Sequence, residues 1–68
     1  MELRINGELQ RFEQPDLTVA SLLEALGIEQ RKGVAVAVND NVVPRSQWDV
    51  VDVEDGDRLE IIKATQGG

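Results

Sequence analysis

Sixty-eight residues make one domain and leave little room for a deep substrate pocket. Cysteine and histidine are both absent, which removes the thiolate nucleophile, the disulfide, the commonest metal ligand and the side chain that most often moves protons near neutral pH. A net charge of −6 argues against nucleic-acid and anionic-membrane binding, and no apolar run approaches the roughly 20 residues of a membrane span or forms a signal-peptide core. The expectation is a cytoplasmic protein that is not an enzyme and holds no metal.

Met1, Leu3 and Ile5 alternate with Glu2, Arg4 and Asn6, the period of a strand with one buried face. Asn6-Gly7 follows, a strong two-residue hairpin signal. Residues 8–13 form the returning strand, in which Leu9 and Phe12 cannot both face inward without a bulge. Pro15 and Asp16 end it. Thr18 is then a good N-cap, flanked by Leu17 and Leu22 at the positions of a hydrophobic staple. Val19, Leu22, Leu23 and Leu26 recur at i, i+3, i+4 and i+7, one apolar stripe of a helix. Gly27 and Ile28 suit a Schellman stop.

Residues 34–38 read Val-Ala-Val-Ala-Val, with the β-branched side chains on one face and the small ones on the other. Asn39-Asp40-Asn41 is a turn, and Val42-Val43 a short strand ended by Pro44 and Arg45. Trp48, Val50, Val51 and Val53 make an apolar connection with no clean period. Glu54-Asp55-Gly56-Asp57 is a tight turn, and the last strand runs through Leu59 and Ile61 to about Lys63. The distal ligands of a calcium loop are missing around Asp55-Gly56-Asp57, so that stretch reads as a turn.

One helix must cover one face of one sheet, because neither buries its apolar face alone. The order strand, strand, helix, strand, short strand, strand gives an α+β fold of the β-grasp, ubiquitin-like kind, with a mixed sheet of four to five strands. A ferredoxin-like fold needs a second helix, and no helical stripe follows residue 28. The domain spans residues 1–63, and residues 64–68 form a flexible tail.

That tail, Ala64-Thr65-Gln66-Gly67-Gly68, carries the sharpest functional signal. Two glycines without Cβ atoms pass a narrow channel, and five extended residues reach at most about 17 Å. Thr65, Gln66 and Gly67 would insert into a partner's active site and present the Gly68 carboxylate. Adenylation makes that carboxylate a mixed anhydride, which a sulfur nucleophile converts to a thiocarboxylate; the chain itself supplies no acid, base or metal. Asp49, Asp52, Glu54, Asp55, Asp57 and Glu60 crowd one stretch, opposed there by Arg58. They form either a solvated face or a surface that steers toward a basic protein. Trp48 either anchors a partner or plugs the core. Candidate docking residues are Trp48, Arg45, Asp52, Glu54 and Asp55.

Val36-Ala37-Val38-Asn39, Val42-Val43-Pro44-Arg45, Trp48, Asp55-Gly56-Asp57 and terminal Gly67-Gly68 together resemble the ThiS family, the sulfur carriers of thiamin thiazole biosynthesis. Thr65 and Gln66 depart from the apolar residues that many of these carriers have before the glycines. The resemblance implies a carrier that is adenylated at Gly68 by an activating enzyme using ATP and magnesium. A cysteine persulfide on a sulfur-transfer protein or cysteine desulfurase then supplies the sulfur, which is delivered to thiazole synthase. The alternatives are the small subunit of molybdopterin synthase, which shares fold and tail, a covalent protein modifier joined through Gly68, and a binding module with an idle tail.

Overall fold

The computed structural model describes residues 1–28 and 32–64. Strands β1 (Glu2–Ile5) and β2 (Glu8–Arg11) form the first hairpin, closed by Asn6 and Gly7, both at positive φ. A two-residue β3 (Leu17–Thr18) leads into helix α1 (Val19–Ala25). Then come β4 (Val34–Val38), β5 (Asn41–Val43), a 3₁₀ turn (Arg45–Gln47), β6 (Asp52–Val53) and β7 (Arg58–Lys63). The main sheet has the order β2-β1-β7-β4-β5, with β1 and β7 parallel and the other neighbours antiparallel. With α1 packed on one face, this is the expected β-grasp fold.

The helix follows its local signals. The Thr18 Oγ1 accepts from the Ser21 N–H at 3.1 Å, as an N-cap does. At the other end the Gly27 N–H donates to the Glu24 carbonyl and the Ile28 N–H to the Leu23 carbonyl, both at 2.9 Å, the paired bonds of a Schellman motif. Val19, Ala20, Leu22 and Leu23 are buried against Leu3, Ile5, Val36, Leu59 and Ile61 of the sheet.

Two sequence expectations are corrected: the returning strand is shorter than residues 8–13, and the stretch after Arg45 is more ordered. Leu9 and Phe12 do not both face inward, as expected without a bulge. The strand stops at Arg11, Leu9 stays on the outer face opposite Arg4, and Phe12, just past the strand, tucks against the core. The apolar stretch after Arg45 also has more order than its lack of period suggests: β6 pairs antiparallel with β3 through Leu17 with Val53 and Thr18 with Asp52. This segment also serves the helix. The Val51 carbonyl accepts from the Val19 N–H and the Trp48 carbonyl from the Ala20 N–H, each at 2.9 Å. With Thr18, they satisfy three of the donors that a helix N-terminus leaves open.

Asn6 and Asn39 hold both hairpins onto β7. The Asn6 side chain accepts from the Ile61 N–H at 2.8 Å and donates to the Ile61 carbonyl at 3.1 Å, extending the β1–β7 ladder past the point where β1 has turned away. The Asn39 Oδ1 accepts from the Arg58 N–H at 3.0 Å, on the other side of the same strand. The strand that runs toward the tail is therefore gripped from both sides.

Candidate functional site

Strand β7 is the middle strand of five and the last element of the described chain. Its pairing with β4 runs one residue past its end. The Ala64 N–H donates to the Gly33 carbonyl at 2.7 Å, so the first tail residue is tied to the domain. Gly33 has φ +77°, and a Cβ there would meet the Ala64 carbonyl oxygen at 3.4 Å. A side chain at 33 would thus be strained in backbone and crowded at the tail root. The reactive residue expected from the sequence, Gly68, and the inserting residues Thr65, Gln66 and Gly67 lie outside the described residues.

The candidate docking residues do not form one surface. Trp48 is corrected from docking residue to core residue: it is 1% exposed, and its indole Nε1–H donates to the Val43 carbonyl at 2.9 Å. Burial on this scale satisfies both the ring and its polar tip from within the domain. Arg45 is exposed at the start of the 3₁₀ turn, where its carbonyl accepts from the Trp48 N–H at 3.2 Å. Asp52, Glu54 and Asp55 do come together. They line an acidic cleft with Met1, Pro15, Asp16, Leu17 and Val53. Asp16, separated in sequence by the whole helix and middle sheet, enters the cleft because β3 pairs with β6.

Part of this acidic stretch has structural work. The Asp55 Oδ1 accepts from the Glu2 N–H at 2.6 Å, and Asp57 accepts from the Glu54 N–H at 2.8 Å and from the Asn39 side chain at 3.0 Å. These bonds pin the turn before β7 to both hairpins. The cleft and the tail root lie at opposite ends of β7, whose six residues span about 20 Å at the usual strand rise.

That separation exceeds two screening lengths at physiological salt, about 8 Å each. At that separation the cleft's charges are screened from Ala64, so an influence of the cleft on a partner would come through steering and not through contacts beside Ala64. If the cleft steers a basic protein partner, changing Asp52, Glu54 and Asp55 together to Asn and Gln is expected to slow association with that partner at low salt. The effect should vanish near 1 M salt and leave turnover at saturating partner unchanged. Stopped-flow association across a salt series measures this. A rate unmoved by both salt and the triple substitution would make the cleft a solubility feature.

Sequence reasoning missed two features near the tail: Gly33 as its anchor, and Ile62. Ile62 is 61% exposed on the sheet face opposite the helix, beside Ala35. The alternation of β7 places it there, since Leu59 and Ile61 take the buried positions.

The chain matches the family model described as the ThiS family over residues 3–68. It is 47% identical over all 68 residues to a thiazole synthase of Paramagnetospirillum magneticum, and spans 20% of that protein's length. It is 41% identical over 51 residues to the sulfur carrier protein ThiS of Escherichia coli, covering 75% of this chain and 76% of the relative. The crystal structure of a thiamine biosynthesis protein (ThiS) from Geobacter metallireducens superposes with a TM-score of 0.87 at 35% identity, covering 100% of both chains. The β-grasp architecture and a family match over residues 3–68 agree: the chain belongs to the ThiS family.

Proposed function

We propose that this chain is a sulfur carrier of thiamin biosynthesis and that the carboxylate of Gly68 is its working group. The observation that carries the reading is the family match, which runs through Gly67-Gly68. A carrier needs a rigid body and a narrow, reactive end. The Asn6 and Asn39 contacts supply the first, and two glycines the second.

The chemistry asks nothing of the chain's side chains. A Gly68 carboxylate oxygen attacks the α-phosphorus of ATP, held with magnesium on an adenylating enzyme, and pyrophosphate leaves. A persulfide on a sulfur-transfer protein or cysteine desulfurase attacks the acyl carbon and expels AMP, forming an acyl disulfide. A thiol then cleaves the sulfur–sulfur bond, leaving the thiocarboxylate on Gly68 and a disulfide on the donor side. Thiazole synthase is the proposed acceptor. The support is the thiazole synthase relative, in which a stretch similar to the whole of this chain accompanies a much longer polypeptide. Joining carrier and acceptor raises the effective concentration of one at the other.

Intact mass spectrometry of the protein from a thiamin-starved cell is the test. Replacement of one oxygen by sulfur, localised to Gly68, is the expected result. Conjugates through lysine would make the chain a modifier, and thiocarboxylate that restores molybdopterin synthesis but not thiazole synthesis would assign the other carrier pathway.

A further inference from the structure

The chain has three asparagines, and only Asn6 is followed by a glycine. A following glycine has no Cβ to shield its backbone nitrogen, so that nitrogen can reach the carbonyl carbon of the preceding side chain. Asn39 is followed by Asp40 and Asn41 by the β-branched Val42, whose side chains crowd the same approach. Among the aspartates, only Asp55 also precedes a glycine. There the glycine is held: the Gly56 N–H donates to the Glu2 carbonyl at 2.7 Å, and the Asp55 Oδ1 accepts from the Glu2 N–H at 2.6 Å. That pair is restrained at its nucleophilic nitrogen.

The Asn6 pair is restrained at the amide instead. Asn6 Oδ1 accepts from the Ile61 N–H at 2.8 Å, and Nδ2 donates to the Ile61 carbonyl at 3.1 Å. An amide held at both ends cannot rotate to meet the Gly7 nitrogen without breaking those bonds. The turn around it is exposed, so water reaches the site.

We propose that Asn6 is a deamidation site whose rate is set by the opening of its own clasp on Ile61. Once the clasp opens, the Gly7 backbone nitrogen gives its proton to water and attacks Asn6 Cγ. The N–Cγ bond forms, the Cγ–Nδ2 bond breaks, and ammonia leaves with a proton returned from water. One water then opens the resulting succinimide. Cleavage of the new N–Cγ bond leaves aspartyl at position 6; cleavage of the original peptide bond to Gly7 leaves isoaspartyl. The sum is amide plus water to acid plus ammonia, with nothing oxidised or reduced.

The reaction removes the restraint that delays it. An aspartyl side chain still accepts from the Ile61 N–H, but it sets a carboxylate against the Ile61 carbonyl where a donor had been. An isoaspartyl residue adds a backbone atom to a two-residue turn, which the register of Ile5 with Glu8 cannot absorb. Either product loosens β7, the strand that leads into Ala64. None of this depends on the chemistry at Gly68.

The test incubates the full chain at neutral pH, folded or in unfolding guanidinium chloride, and follows each asparagine by peptide mass spectrometry with isoaspartyl detection. Conversion at Asn6 is expected to be slower in the folded chain by at least about 30-fold, the factor that two net hydrogen bonds supply. In the unfolded chain Asn6 should convert well ahead of Asn39. Equal rates at Asn6 in the two conditions would overturn the clasp as the gate. Equal rates at Asn6 and Asn39 in the unfolded chain would overturn the site itself. Asn6→Asp, which reproduces the aspartyl product, is expected to lower the thermal melt by about 4–8 °C, the shift that losing one net hydrogen bond gives a domain of this size. A melt equal to that of the wild-type chain would overturn the loosening of β7.

Discussion

Deleting Gly68 is expected to bring ATP–pyrophosphate exchange down by at least about 100-fold while the domain's thermal melt stays where it was. The truncated chain still ends in a glycine carboxylate, so the chemical group survives. Its position does not: one extended residue is about 3.5 Å of reach. The tail cannot make up that distance by sliding deeper, because Ala64 is held to Gly33 and β7 is clamped by Asn6 and Asn39. In-line attack needs the reacting atoms about 3–3.5 Å apart, and a misplacement of 1 Å already costs about 100-fold. Stability is unaffected, because the buried core consists of residues between Leu3 and Ile61. Circular dichroism and the exchange assay, run on the same preparation, read both. Full exchange activity in the truncated chain would show that Gly68 is not the adenylated residue.

Trp48→Ala is expected to cost about 3–5 kcal/mol, the range for emptying an aromatic site in a core. That rivals the whole stability of so small a domain. The indole is among the largest fully buried side chains, and its segment also caps the helix through the Trp48 and Val51 carbonyls. Trp48→Phe separates the two contributions. It keeps most of the apolar volume but strips the Val43 carbonyl of its donor, which should cost about 1–3 kcal/mol. Urea melts of both variants give the values. Unchanged stability together with lost partner affinity would return Trp48 to the docking surface.

The outcome for Trp48 shows where sequence reading runs out. A lone tryptophan between Gln47 and Asp49 has no periodic neighbours to reveal its direction. Its burial follows from Pro44 and the 3₁₀ turn, which carry the chain over the N-terminus of the helix and swing the ring under Val43. The two-residue strands β3 and β6 were equally illegible. A pair so short has no alternation to detect and exists because distant segments meet. Asp16 joined the acidic cleft for the same reason.

What the sequence determined by itself was whatever local chemistry enforces. Asn6-Gly7 closed a hairpin because that pair accepts positive φ at both positions. Thr18, Gly27 and Ile28 bounded the helix because they satisfy its terminal backbone groups. The alternations at residues 34–38 and 59–61 chose the buried faces. The tertiary structure alone decided which residues stand next to one another across the sheet. It placed the acidic cleft one strand length from Ala64 and turned Asn6 into a substitute for missing backbone. The physical reason is that a strand's own sequence sets only its two faces. The partners along its two edges depend on where neighbouring strands stop, and β1 stops at Ile5, opposite Leu59, short of the end of β7.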